Sequence, residues 1–223
     1  MIPRWRSGAR AQAKAVLIAI FSLVLAGCLG VQRTTPDDPV AAGGLTPSQH
    51  DRDAGLVGMA SSFDLKEYRV IAVERFSLTE MKTEEEDRQL GVAMASFLQS
   101  EIVRRLRDTG LFSKVVNLSE TELTASPERA LRLRGTISRM ERGSQATRVM
   151  FGIYGAGRAR AQMEVHFVDA QSGTVVLVTA NRRIGTSVSA GAGEDHLRGL
   201  FDAMAEDLAR FLTRLAKGEA PRE

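Results

Sequence analysis

The chain has 223 residues, 43% of them hydrophobic and 26% charged, with 30 Lys and Arg against 27 Asp and Glu. Four of those basic residues (Arg4, Arg6, Arg10 and Lys14) lie within residues 1–27, which hold no acid, so the remainder stands at 26 against 27, or −1. That balance excludes a global basic field for nucleic acid, and the single Cys excludes an internal disulfide and a thiol-based metal site.

The basic N-terminus is followed by an apolar run, Ala15 to Ala26, broken by the small Ser22. At about 1.5 Å per residue this run makes roughly 18 Å of helix, well short of the hydrocarbon core of about 30 Å. A charged start, a short apolar stretch and small residues at its end make a secretory leader rather than a membrane span. The run closes on Leu25-Ala26-Gly27-Cys28, which resembles the lipobox of bacterial lipoproteins. The resemblance implies cleavage before Cys28, a diacylglycerol on its thiol, and an acyl chain such as palmitate on the new amine. Leu29 follows, where Asp would favour retention in the inner membrane, so the expected location is the outer membrane with the domain facing the periplasm. No transmembrane segment is read after Cys28.

Residues 28–62 are rich in turn formers (Thr34-Thr35-Pro36-Asp37-Asp38-Pro39, Gly43-Gly44, Pro47-Ser48) and poor in large apolar side chains. They read as a flexible tether, with a single domain over 63–223. Tyr68 to Phe76 reads as a buried strand. An acidic segment, Glu84 to Asp87, leads into a helical pattern over about Asp87 to Asp108, with Leu90, Met94, Leu98, Ile102 and Leu106 on one stripe and Gly110 as its stop. Phe112 to Leu118 and Ala130 to Ser138 read as strands. Arg158 to Asp169 alternates cleanly, turns through Asp169 to Gly173, and returns over Thr174 to Ile184 as a hairpin. A second amphipathic helix spans about Asp195 to Lys217. The order β-α-β-β-β-α predicts a two-layer α+β domain, a mainly antiparallel sheet with both helices packed on one face.

Several segments carry a family likeness: Leu133-Arg134-Gly135-Thr136-Ile137, then Gly143 and Arg148, the glycine run Gly152, Gly155 and Gly157 before Arg158, and Val165 to Val176 with its Asp169…Ser172-Gly173 turn. From about Tyr68 to Leu215 the chain resembles bacterial lipoproteins grouped as a domain of unknown function, the DUF4410 type. The element order is also similar to the α/β domain of curli-secretion channel lipoproteins and to the N-terminal domain of the Tol-system propeller protein. The family brings no established activity, so no catalytic residue is implied.

The residues agree. His50, His166 and His196 lack ligand spacing, no Gly-x-Ser-x-Gly elbow is present, and the Gly152–Gly157 run precedes a strand rather than a helix, which suits a bulge or a contact better than a phosphate loop. No catalytic residue, metal site or cofactor beyond the lipid on Cys28 is assigned. Arg132, Arg134, Arg158 and Arg160 share the polar sheet face and form the candidate partner surface, for an envelope protein or an anionic polymer. The leading reading is a non-enzymatic, lipid-anchored binding or assembly module. The alternatives are a subunit of an oligomeric outer-membrane secretion channel and a periplasmic hydrolase, the latter needing a carboxylate pair such as Glu164 with a second acid.

Overall fold

A computed structural model describes residues 31–79, 85–123, 128–143, 158–185 and 193–222. Cys28, the lipobox and the Gly152–Gly157 run lie outside the described residues. Among the described residues nine strands form one sheet: β1 (Val31–Thr34), β2 (Gln49–Asp51), β3 (Gly55–Met59), β4 (Val70–Val73), β5 (Ser77–Leu78), β6 (Lys114–Asn117), β7 (Ala130–Glu141), β8 (Arg160–Asp169) and β9 (Val175–Gly185). With two long helices described beside it, α1 (Glu85–Thr109) and α2 (Gly193–Ala216), the fold is α+β. Among the described residues no helix is long and apolar enough to cross a membrane.

The strand order is β2-β3-β9-β8-β7-β4-β6, with β1 also pairing β9 and β5 also pairing β7. The pairs β7/β8, β8/β9, β3/β9, β1/β9 and β2/β3 are antiparallel, while β4 runs parallel to β6 and β7, and β5 parallel to β7. The parallel part is a consequence of α1, whose length carries the chain from one end of the sheet back to the other.

Alternation sorts the side chains. Leu131, Leu133 and Ile137 of β7, Ala161, Met163, Val165 and Phe167 of β8, and Ile71 and Val73 of β4 join Met94, Leu98, Ile102 and Leu106 of α1 and Leu197, Phe201, Met204, Leu208 and Phe211 of α2 in one core. Gly135 occupies an inward position on β7 where a side chain would overlap the ring of Phe76, which fills the space instead. A register shift between Ile137 and Arg139 sets Ser138 aside as a bulge and returns Arg139 to the outer face, opposite Gln162. Both helices stop at left-handed glycines, Gly110 (φ 65°) and Gly218 (φ 80°).

The expectation that the structure corrects is the tether. Residues 31–59 carry three strands of the sheet, and the stretch between β1 and β2 lies across the outer face as a strap. The Asp37 N–H donates to Gln162 Oε1 (2.8 Å), Gln162 Nε2 donates back to the Asp37 carbonyl (2.7 Å), and the Val40 N–H donates to Glu164 Oε2 (3.3 Å). Arg139 and Arg182 both pair with the Asp37 carboxylate. Turn-forming composition does not by itself mean freedom: partners more than a hundred residues away in β8 and β9 fix the segment.

Candidate functional site

On the helix side, β9 becomes polar toward its end: after Leu177 its inward positions are Thr179, Asn181 and Arg183, all buried. Asp207 of α2 meets them with no exposed surface at all. Its Oδ1 receives Arg33 of β1 (3.0 Å) and Arg210; its Oδ2 receives Arg183 and the amide of Asn181 (3.3 Å). A second centre lies beside it in the β2–β3 turn. Arg214 bridges both turn acids, Nη2 donating to Asp51 Oδ1 (2.7 Å) and Oδ2 (2.8 Å) and Nε to Asp53 Oδ2 (2.9 Å). Arg210 links the two centres by also donating to Asp53 Oδ1 (3.3 Å).

Asp51 is held from several directions. Burial pushes its carboxyl up, but the Arg214 guanidinium and the N–H groups of Ala54, Asp53 and Arg222 outweigh that and keep it below its ordinary range. The Arg222 N–H (3.1 Å) comes from the C-terminal tail, which returns the Arg222 carbonyl to the Arg52 N–H. The network thus ties β1, the β2–β3 hairpin, β9, α2 and the tail together. It floors an open groove of about 460 Å³ between the helices, lined among others by Arg52, Asp53, Arg105, Glu206, Arg210 and Arg214.

At the opposite end of the β8–β9 hairpin, Asp169 closes the turn by accepting the N–H groups of Gln171 and Ser172 (2.9 Å each). Its Oδ2 accepts Tyr68 Oη (2.9 Å) and Arg129 Nη2 (2.7 Å), and Arg129 stacks over the Tyr68 ring at 4.6 Å. Burial pushes the Asp169 carboxyl up, yet the Ser172 amide, Arg129, Tyr68 and the Gln171 amide hold it far below the carboxylate range. Burial and the bond to Asp169 push the Tyr68 phenol up to about 12. A carboxyl depressed on folding contributes stability that is lost as pH falls below about 4, and a phenol raised on folding contributes stability that is lost as pH climbs from about 10 to about 12. Urea unfolding across pH is expected to show both declines, with Tyr68→Phe flattening the alkaline one and Asp169→Asn the acid one.

The four candidate arginines are not one cluster. Arg132 and Arg134 lie on the outer face near one end and share Glu74 (3.5 and 3.1 Å). Arg160 stands six residues along β8 from His166, the register partner of Arg134, or roughly 20 Å away at about 3.3 Å per residue, and pairs with Glu141 (3.4 Å). Arg158 precedes β8 at that same far end. Glu164, weighed as half of a hydrolytic pair, holds the strap instead. His50 is exposed on β2, and His166 sits half-buried on the outer face, where burial lowers its pKa, Glu164 raises it and Arg134 lowers it.

The family model described as a domain of unknown function (DUF4410) matches residues 60–188. The chain belongs to this family. Among solved structures it is similar to the PelC dodecamer from Paraburkholderia phytofirmans, at 17% identity, 69% of this chain and 98% of that one, with a TM-score of 0.43. It is also similar to a Xanthomonas campestris protein of the DUF330 family, at 12% identity, 72% and 91% coverage, and a TM-score of 0.44. No curated protein matches. The matched part of this DUF4410 protein begins after β3 and ends before α2, so Arg33, Asp51, Asp53, Asp207, Arg210 and Arg214 all fall outside it, and Arg183 within it. Sequence reading missed the network, although one signal was available: Asp207 stands three residues after Met204 and four before Phe211, on the apolar stripe itself.

Proposed function

We propose that this DUF4410 protein is a non-enzymatic, lipid-anchored module of the cell envelope that binds or assembles a partner, held at the outer membrane by the acylated Cys28 and facing the periplasm. The observation that carries the reading is the Leu25-Ala26-Gly27-Cys28 sequence placed directly before β1, the first strand of the sheet. The groove favours binding over proton transfer. The Asp53 carboxylate in its wall is already held by Arg210 and Arg214, the Asp207 carboxylate beneath is buried among Arg33, Arg183, Arg210 and Asn181, and guanidinium does not give up its proton. Charges locked by one another are preorganised to recognise a polar partner without reorganising, and the groove has the size of a small-ligand or peptide-side-chain pocket.

Cys28→Ser should abolish acylation and release the protein from the outer-membrane fraction, or leave it as an uncleaved precursor. Metabolic labelling with a radioactive fatty acid followed by membrane fractionation reads both. A Cys28→Ser protein that still carries label and still fractionates with the outer membrane would overturn the anchor.

A further inference from the structure

The outer face of the sheet carries an arginine pair whose donors are only partly used. Arg132 and Arg134 are successive outward residues of β7, about 6.6 Å apart along the strand, and they share one acid, Glu74, which directly follows β4. Arg134 Nε donates to both Glu74 oxygens (3.1 and 3.2 Å), and Arg132 Nε lies 3.5 Å from Oε1. Glu74 therefore holds both guanidiniums by their Nε edges. Their Nη nitrogens have no hydrogen-bond partner among the described residues, and the two side chains are 39% and 52% exposed.

The same row on β7 continues to Thr136, whose hydroxyl is hydrogen-bonded to Ser77 of β5 (2.8 Å). On one side β8 sets Val168 opposite Arg132 and His166 opposite Arg134, and beyond His166 the strap closes over Gln162 and Glu164. On the other side Leu118 and Leu123 pack on the outward cluster of Val70, Ala72 and Val116. Glu164 is buried and already accepts the Val40 N–H and Gln162 Nε2. What is left is a strip along β7, bounded on both sides, in which guanidinium supplies the unused donors and Glu74 the one exposed counter-charge.

We infer that this strip binds a phosphodiester-linked polyol or sugar chain laid along β7, with one phosphate seated on Arg132 and Arg134. A planar carboxylate is satisfied by a single guanidinium fork in its own plane. A tetrahedral phosphate offers oxygens outside any one plane and so accepts from two guanidiniums arriving from neighbouring positions. A diester carries one negative charge, which two guanidiniums sharing one Glu74 balance. None of the residues along the strip is Phe, Tyr or Trp, so a nucleobase finds no stacking face and nucleic acid is the poorer fit. The inference deepens the binding reading and rests on it for the compartment; the strip lies on the opposite face of the sheet from the groove between the helices.

The test is calorimetric titration of the purified, acylated full chain in nonionic detergent at constant ionic strength, with oligo(glycerol phosphate), dimethyl phosphate, polyglutamate and soluble dihexanoyl phosphatidylglycerol as probes. Oligo(glycerol phosphate) should bind most tightly. Arg132→Gln and Arg134→Gln should each weaken it roughly 10- to 100-fold, the worth of a charge-assisted hydrogen bond. Arg134→Lys keeps the charge but not the fork and should retain most of that loss, whereas Arg198→Gln, the same charge change on α2, should leave binding unaltered. His166 provides a second readout on the unaltered chain. Burial holds its pKa down, Glu164 raises it and Arg134 lowers it again, so a phosphate that neutralises Arg134 should move the imidazole titration, followed by NMR, to higher pH. If the arginine variants melt earlier than the parent, the probe comparison and the His166 shift decide alone. Equal binding of polyglutamate, full rescue by Arg134→Lys, an equal loss in Arg198→Gln, or an unmoved His166 titration overturns the phosphate seat. Tighter binding of the phosphatidylglycerol than of the oligomer overturns the polymer in favour of a lipid headgroup. Any of these failures, on protein that still carries its acyl chains and fractionates with the outer membrane, leaves the anchored module standing; loss of the acyl chains or of that fraction overturns the module itself.

Discussion

Asp207→Ala is expected to destabilise the domain by about 3–5 kcal/mol, the range for removing one partner of a buried ion cluster. Three guanidiniums, those of Arg33, Arg183 and Arg210, converge on this one carboxylate. Without it, Arg183, 8% exposed beneath the helix, loses the carboxylate it is buried against. Asp207→Asn keeps the shape and can still accept, so it should cost less than alanine but more than an exposed Asp→Asn change. The pair Asp207→Leu with Arg183→Met tests the mechanism. If the penalty comes from stranded charge rather than lost packing, the apolar pair should recover most of the loss, since well-packed apolar replacements of buried ion groups are often neutral or better. Urea midpoints at constant slope measure all three against the parent. An Asp207→Ala protein within 1 kcal/mol of the parent would mean that the guanidiniums reach water by themselves and that the network is decorative.

The two helices and the β8–β9 hairpin were legible in the sequence because each is specified by its own period. Leu90 to Leu106 and Leu197 to Leu212 repeat at helical spacing, and Ala161 to Phe167 alternate without a break. The first three strands were not legible for a physical reason. Their lengths are four, three and five residues, too short for a period to establish itself, and β1 and β3 owe their shape to β9, over a hundred residues away. Turn formers such as Pro36 and Gly43 mark chain reversal whether the chain is loose or, as here, strapped down. The arginine surface failed for a related reason. Alternation assigns a residue to a face correctly, and did so for Arg132, Arg134 and Arg160, but position along the strand needs the register. The register separates the first two from the third and gives each set its own glutamate. The ion network was half written in the sequence, since polar residues at inward positions of β9 and on the apolar stripe of α2 are costly unless they meet each other.

Gly55→Ala is expected to be the most damaging single methyl added anywhere in the described sheet. Gly55 opens β3 at φ 80°, a left-handed conformation that costs an L-residue about 1–2 kcal/mol. Its added Cβ would also run into the carbonyl oxygen of Ala180 and sit 3.2 Å from the Cα of Asn181. Both obstacles are backbone atoms of β9, locked between β8 and β3, and neither can rotate away as a side chain would. Overpacking of this kind adds about 1–3 kcal/mol, so the sum lies near 2–5 kcal/mol. The strain has a cheaper outlet, in which β3 lifts from β9 and carries the β2–β3 turn with it. Asp51 and Asp53 would then leave Arg214 and Arg210, and the Asp207 centre would lose its second support. Gly173→Ala separates the two causes. Gly173 has almost the same φ, 72°, but open space around the position of a Cβ, so it should lose only the conformational term. Hydrogen exchange at the amides of Leu56 and Gly58, which face β9, distinguishes local lifting from global loss, because lifting exposes those amides while β7 and β8 stay protected. If Gly55→Ala costs no more than Gly173→Ala and β3 exchange is unchanged, then the hairpin does not press on β9 as described, and its role in holding the turn acids against α2 falls with it.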